Sequence, residues 1–330
     1  MHSGSVKAKK FSVRTDLAVE ARELAASGSD QVEGVTVETE ETAGIHVTTV
    51  NILNELGAER MGKPAGLYVT IESEAMKEND ADTHEEIIKL LAQKLGGFNK
   101  LGHGAALVVG LGNWKVTPDA LGPKVVSKVL VTRHMDSRTL PLDYGLRPVC
   151  AIAPGVMGLT GIETAEIIRG VAERVNPEVI IAVDALAARK TSRINATVQM
   201  SDTGIKPGAG MGGKRMEINE KNMGAPVIAI GVPTVVDAAT LVNDTMDKIL
   251  AEMTGAVRQG SKFYEMLSKL ESEDKYNLIT EILNPYEENM FVTPKEVDAV
   301  IERLSNIIAN AVNISLHPGI SASDINRFIS

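Results

Sequence analysis

The chain has 330 residues, 44% of them hydrophobic and 23% charged, with a formal net charge of -9. That length allows one large domain or two modest ones, with an aliphatic core because only 3% of residues are aromatic. The acidic balance lacks the basic footprint of nonspecific nucleic-acid binding, the lone Cys150 rules out an intramolecular disulfide and a cysteine metal cage, and no apolar run is long enough to span a bilayer.

Residues 1–11 are polar and lysine-rich, with no apolar core of a secretory signal behind them, so a cytoplasmic location is expected. "RTDLAVEARELA" (14–25) reads as a short helix with Leu17, Ala21, Leu24 and Ala25 on one face. Residues 34–52 alternate apolar and polar around Gly44, the pattern of a hairpin, and 66–73 reads as a third strand beside it. Residues 82–95 form an amphipathic helical pattern. From residue 105 the texture changes. Four apolar runs, 105–112, 148–155, 178–185 and 225–233, are too uniform for half-exposed strands and suit strands buried on both faces. Helical stretches such as 160–174 and 237–253 lie between or after them, and the tail is helical over 261–283 and 294–316. The expectation is a single α/β domain. It has a mainly parallel central sheet flanked by helices, a small N-terminal β-hairpin region and a helical C-terminal tail.

In parallel sheets, ligands gather at the carboxyl ends of the strands. Asp184 ends the third apolar run, Asp119 lies in the loop after the first, and Asp237 follows the last. One sheet edge brings such positions together. Two adjacent carboxylates share a proton, so that one acts as base toward water while the other donates a proton. The competing reading is helix capping, which suits Asp119 before "ALGPKVVSKVL" and Asp237 before "AATLVNDTMDKIL". Asp184 resists it, because an acid ending an apolar strand is costly unless paired.

Other motifs are weaker. "GLGNWK" has Lys115 where a dinucleotide fingerprint needs a small residue, and "HEEII" has Ile88 where a zinc-peptidase helix needs its second histidine. Cys150 sits inside an apolar run and reads as an inert thiol. "KPGAGMGGKR" (206–215) reads either as an anion-binding loop or as a surface loop.

Several long blocks carry a resemblance. "FSVRTDLAVEARELA", "VVGLGNWKVTPDALGPK", "RPVCAIAPGVMGLTGIETAEII", "NPEVIIAVDALAARKTSRINATVQMSDTGIKPGAG", "VIAIGVPTVVDA" and "NMFVTPKEVD" closely resemble the germination protease family of spore-forming bacteria. The resemblance implies an endopeptidase that degrades small acid-soluble spore proteins on germination. It implies a tetrameric zymogen that removes its own N-terminal segment, and an α/β fold similar to that of the hydrogenase-maturation proteases. The family's two essential aspartates match Asp119 in "VTPDALGP" and Asp184 in "AVDALAAR". Its preference for cutting after an acid, before an apolar residue followed by Ala, selects Asp16-Leu17, with residues 1–16 as propeptide and 17–330 as the peptidase domain. The family also favours an acid three residues before the cut residue, where this chain has Val13. A pocket for the carboxylate of the cut residue calls for a cation, with Arg189, Arg193 and Arg215 as candidates. No cofactor and no metal ligand set is expected, although a metal-dependent peptidase of the hydrogenase-maturation type is the alternative use of the same carboxylates.

Overall fold

A computed structural model describes residues 15–26, 32–135, 146–208, 215–256 and 290–319. The helix expected over 261–283, the core of the glycine-rich 206–215 segment and Val13 lie outside the described residues.

The first described element is a short helix, α1 (Ala18–Ala25), which buries Ala18, Val19, Glu20 and Ala21. The hairpin follows as expected. β1 (Val35–Thr42) and β2 (Ile45–Ile52) pair antiparallel, with Thr42 opposite Ile45. The two turn residues, Ala43 and Gly44, have φ of 50° and 75°, the doubly left-handed geometry whose twist matches the strands it joins. α2 (Glu55–Met61) is capped by Asn54 and ends at Gly62, whose φ of 61° turns the chain sharply. β3 (Gly66–Glu72) then pairs antiparallel with β2. The amphipathic pattern becomes α3 (Ala81–Gly96), capped by Asp80 and burying Ile87, Ile88, Leu91, Ala92 and Leu95.

All four apolar runs are strands: β4 (Ala106–Gly110), β5 (Val149–Ile152), β6 (Val179–Ala188) and β8 (Val227–Asp237). They are mutually parallel and adjacent, in the order β5-β4-β6-β8. Their uniform apolarity has a direct cause. Successive β6 residues alternate between two buried faces, with Ile181 and Val183 in one core cluster and Ile180 and Ala182 in another. α3, α4 (Leu121–Val126) and the C-terminal α9 (Val297–Leu316) cover the first face. α6 (Thr164–Val175), preceded by the single turn α5 (Met157–Thr160), and α7 (Glu220–Met223) cover the second.

The expectation of a mainly parallel sheet needs correction. The sheet has nine strands in the order β1-β2-β3-β7-β8-β6-β4-β5, with β9 (Phe291–Val292) paired to β8. Five of its pairings are antiparallel and three parallel, so it is a mixed sheet. The missing piece is β7 (Thr197–Ser201), which lies antiparallel between β3 and β8 and joins the hairpin to the parallel strands. The hairpin is thus one wing of the central sheet rather than a separate region. β7 is fully buried although it carries Thr197, Gln199 and Ser201. Strand pairing satisfies its backbone, and Gln199 and Ser201 find side-chain partners while the Thr197 hydroxyl has none, so its sequence shows no apolar run although the strand is buried. α8 (Ala238–Ala256) follows β8 directly.

Candidate active site

The carboxyl ends of β4, β6 and β8 open onto one cleft of about 820 Å³. Asp119, Asp184, Asp16 and Arg215 all line it.

Asp184 lies on β6 opposite Gly231 of β8, one residue beyond the Gly110–Val183 register with β4. It is only 7% exposed, and its one recorded donor is the backbone N–H of Ala185, at 2.9 Å. Burial pushes its pKa well above the ordinary carboxylate value, the negative charges of Asp119 and Asp16 push it further, and the Ala185 N–H only partly opposes them. The side chain is therefore held in its neutral acid form far into the range where a solvated aspartate is ionised.

Asp119 closes the 3₁₀ turn Thr117–Asp119. The helix-capping reading fails for it. The N-cap residue of α4 is Ala120, and the Asp119 carboxylate turns back to accept the Asn113 N–H at 2.8 Å. Asp237 does cap its helix, accepting the N–H and hydroxyl of Thr240, each at 2.9 Å. The Asp119 pKa is also raised, by burial, with the Asn113 bond opposing. Asp119 lines the same cleft as Asp184, and the loop and helix around it pack closely through glycines. A Cβ on Gly112 would come within 2.0 Å of the Asp119 carbonyl oxygen, and one on Gly122 within 2.5 Å of that of Val183.

Thr15 and Asp16 line the same cleft, and from there the chain passes into the core at Leu17 and Ala18. The Asp16 N–H donates to the Ala187 carbonyl at 3.0 Å, and the Asp16 carboxylate accepts the Ala187 N–H at 2.8 Å. The Asp16 carbonyl oxygen accepts from Lys63 Nζ at 2.9 Å and from Gln199 Nε2 at 3.2 Å. Leu17 is extended, with φ −86° and ψ 133°, and fully buried against Leu186, Ile194 and Val236. Beyond it, the wholly buried Glu20 accepts the backbone N–H groups of Arg189 and Lys190 at 2.7 and 2.9 Å, which anchors α1 to the loop after β6.

Of the three arginines, Arg189 is committed to Asp244, with contacts of 2.9 and 3.0 Å. Arg193 is committed to Glu23 at 2.8 Å and Glu72 at 2.7 Å. Arg215 alone of the three lines the cleft. Lys63 and Gln199 were not legible as site residues. Lys63 follows the helix-ending Gly62 in an ordinary turn, and Gln199 sits on the strand whose sequence gave no strand signal. Cys150 is half-buried, and burial raises its thiol pKa, in keeping with an inert role. The "HEEII" histidine, His84, contacts the Ala75 carbonyl at 3.0 Å. Among the described residues no three His, Cys, Asp or Glu side chains are grouped to hold a metal ion, and no helix is long and apolar enough to cross a membrane.

A family model described as germination protease matches residues 13–268 and 256–329, which is nearly the whole chain. The chain belongs to the germination protease family. Relatives named germination protease agree along their lengths. That of Clostridium acetobutylicum is 49% identical over 326 residues, covering 97% of this chain and 99% of the relative. That of Clostridium tetani is 48% identical over 324 residues, covering 97% and 100%. That of Bacillus cereus is 42% identical over 358 residues, covering 97% of each. Germination proteases are peptidases, so the cleft is read below as a site of peptide-bond hydrolysis on protein substrates.

Proposed function

We propose that this germination protease is an aspartate-dependent endopeptidase made as a self-processing zymogen, in which Asp119 and Asp184 activate water and Asp16-Leu17 is the bond it cuts in itself. The observation that supports this most is the convergence of three features in one cleft. Two carboxyl groups with raised pKa line it, and so does Asp16, the acid of an acid-apolar-Ala segment whose Leu17 is extended. In this reading the less perturbed Asp119 is the ionised base and Asp184 the proton donor. The water oxygen bonds to the Asp16 carbonyl carbon as Asp119 takes its proton. The Leu17 nitrogen then takes the proton of Asp184 as the C–N bond breaks, leaving a carboxylic acid on residue 16 and an amine on Leu17.

The same geometry supports a blocking role for residues 15–16, which take up part of the wall of the cleft that an external chain would need. Residues 1–16 are then the propeptide and 17–330 the mature domain. Small acid-soluble spore proteins are the proposed substrates, a homotetramer the proposed assembly and the spore core the proposed location. These proposals rest on the family. Arg215 is the proposed cation for substrate acids, supported by its place on the cleft wall. A kinship with the hydrogenase-maturation proteases belongs to the same proposal, and what supports it is the parallel half of the sheet with helices on both faces.

The test is incubation of the full chain in mild acid beside its Asp184→Asn variant, with the new N-terminus read by mass spectrometry. The expected product starts at Leu17 in the wild type and is absent from the variant. Equal trimming in both would remove Asp184 from the chemistry.

A further inference from the structure

The carbonyl oxygen of Asp16 belongs to the bond proposed to be cut, and it is held by two side chains that the aspartate pair does not include. Lys63 Nζ stands 2.9 Å from it and Gln199 Nε2 3.2 Å. Gln199 does more than donate. Its Oε1 accepts the Ala18 N–H at 2.5 Å, so one amide spans the chain from the residue before the cut to the second residue after it. That is how a neighbouring strand would grip an extended peptide, and it fixes the plane of the Asp16-Leu17 bond. Both donors are set by rigid structure. Gln199 lies on buried β7, held by β3 and β8 on its two sides, and Lys63 is turned in by the left-handed Gly62 at the end of α2.

We infer that Lys63 and Gln199 form an oxyanion site, a pair of catalytic donors for the charge that develops on the carbonyl oxygen of the cut residue. This deepens the reading above and rests on Asp16-Leu17 being the bond cut. As the water oxygen bonds to the Asp16 carbon, the carbonyl π electrons move onto the oxygen. The ammonium and the amide N–H meet that charge without any proton changing hands, while Asp119 and Asp184 handle the protons. A cation and a neutral donor already directed at the oxygen need little reorganisation when the charge appears, which is the condition under which such donors are most effective. The carboxylate of the cut residue is read separately, by the Ala187 N–H at 2.8 Å on the strand that carries Asp184. Recognition of the acid and stabilisation of the oxyanion thus use different atoms.

The test uses the full chain and its Lys63→Met and Gln199→Met variants. Self-trimming is followed as a single turnover in mild acid. Amide hydrogen exchange over residues 15–20 and 184–188 is measured at neutral pH. Each variant is expected to trim about 100-fold more slowly while keeping the exchange protection of both segments. A variant that trims within about threefold of wild type would overturn the inference. So would a slow variant that has lost protection over residues 15–20, since the side chain then only seats the segment. The two variants are independent, so one that fails to fold leaves the other to decide. A wild type that never yields a Leu17 N-terminus, or an Asp184→Asn variant that trims normally, would instead sink the parent reading and this inference with it. Normal trimming by Lys63→Met and Gln199→Met beside an inert Asp184→Asn would sink this inference alone.

Discussion

Asp184 shows how a single residue can be costly to the fold and useful to the site. Its carboxyl is buried with one backbone donor and two acidic neighbours, so the folded state holds its proton more tightly than the unfolded chain does. A group whose pKa is raised on folding favours the native state below its unfolded value and loses that contribution as pH rises through the folded value. At neutral pH the burial of Asp184 therefore costs the fold stability. Asp184→Asn keeps an acceptor for the Ala185 N–H and removes the charge. Its melting temperature at pH 7 is expected to exceed that of wild type by about 2 °C or more, with the gap closing as pH falls. Scanning calorimetry on chains verified intact by mass checks this, and a variant less stable than wild type at pH 7 would contradict it. Asp184 was legible in the sequence because an acid in an apolar run demands an explanation, although it lies within β6, which continues to Ala188, and does not end it. Lys63 and Gln199 were not, because a lysine in a turn and a glutamine among Thr and Ser look like surface residues until the sheet closes over them.

At the scale of elements, glycines let α4 and the turn carrying Asp119 pack closely on β4 and β6. A Cβ on Gly122, at the start of α4, would meet the Leu111 carbonyl oxygen at 2.3 Å and that of Val183 at 2.5 Å, both backbone atoms that cannot swing aside. Gly122→Ala must push α4 and the turn carrying Asp119 away from the ends of β4 and β6. The expected loss is about 2–3 kcal/mol of stability and a fall in self-trimming of 100-fold or more. Gly170, on the exposed side of α6, has open space around it and no left-handed backbone. Gly170→Ala is expected to stabilise by about 0.5–1 kcal/mol with trimming unchanged. Chemical denaturation and trimming rates of the pair check both, and similar behaviour of the two variants would refute the packing argument. The longer helices α3, α6, α8 and α9 and the four parallel strands were legible because periodicity and apolar runs follow directly from which faces are covered, whereas the short α2, α4 and α7 were not. β7 was not legible, since a strand held by neighbours on both edges can carry polar side chains once those find partners. The sheet's mixed character followed from that one omission.

Across the whole molecule, Arg193 ties the entering segment to the sheet. Its guanidinium meets Glu20 at 3.4 Å, Glu23 at 2.8 Å and Glu72 at 2.7 Å, linking α1 and β3 to the loop after β6. Burial works against its charge, but Glu23 and Glu72 raise its pKa above the ordinary arginine value. Arg193→Met leaves Glu20 buried without its side-chain cation, a defect of about 3–5 kcal/mol. The expected result is a lower melting temperature together with faster amide exchange over residues 15–25, because that segment loses its anchor. Unchanged exchange there would show that the backbone donors of Arg189 and Lys190 hold α1 unaided. The network lies on the Leu17 side of the proposed cut, so under that proposal α1 would keep its anchor after processing.

The amino-acid sequence by itself determined the α/β class, the hairpin, the four buried parallel strands and the choice of Asp119 and Asp184 as candidates, together with the family. All of these are written in local pattern or in long matching blocks. Only the tertiary structure decided that the sheet is mixed, that Asp119 lines one cleft with Asp184 instead of capping α4, and that Arg189 and Arg193 are committed to acids elsewhere. It alone seats Asp16 between Ala187, Lys63 and Gln199. The physical reason is the same in each case. Hydrogen-bond and charge partners far apart in the chain become neighbours only when β7 fills its slot and the glycine contacts close, and neither event leaves a periodic trace in the sequence.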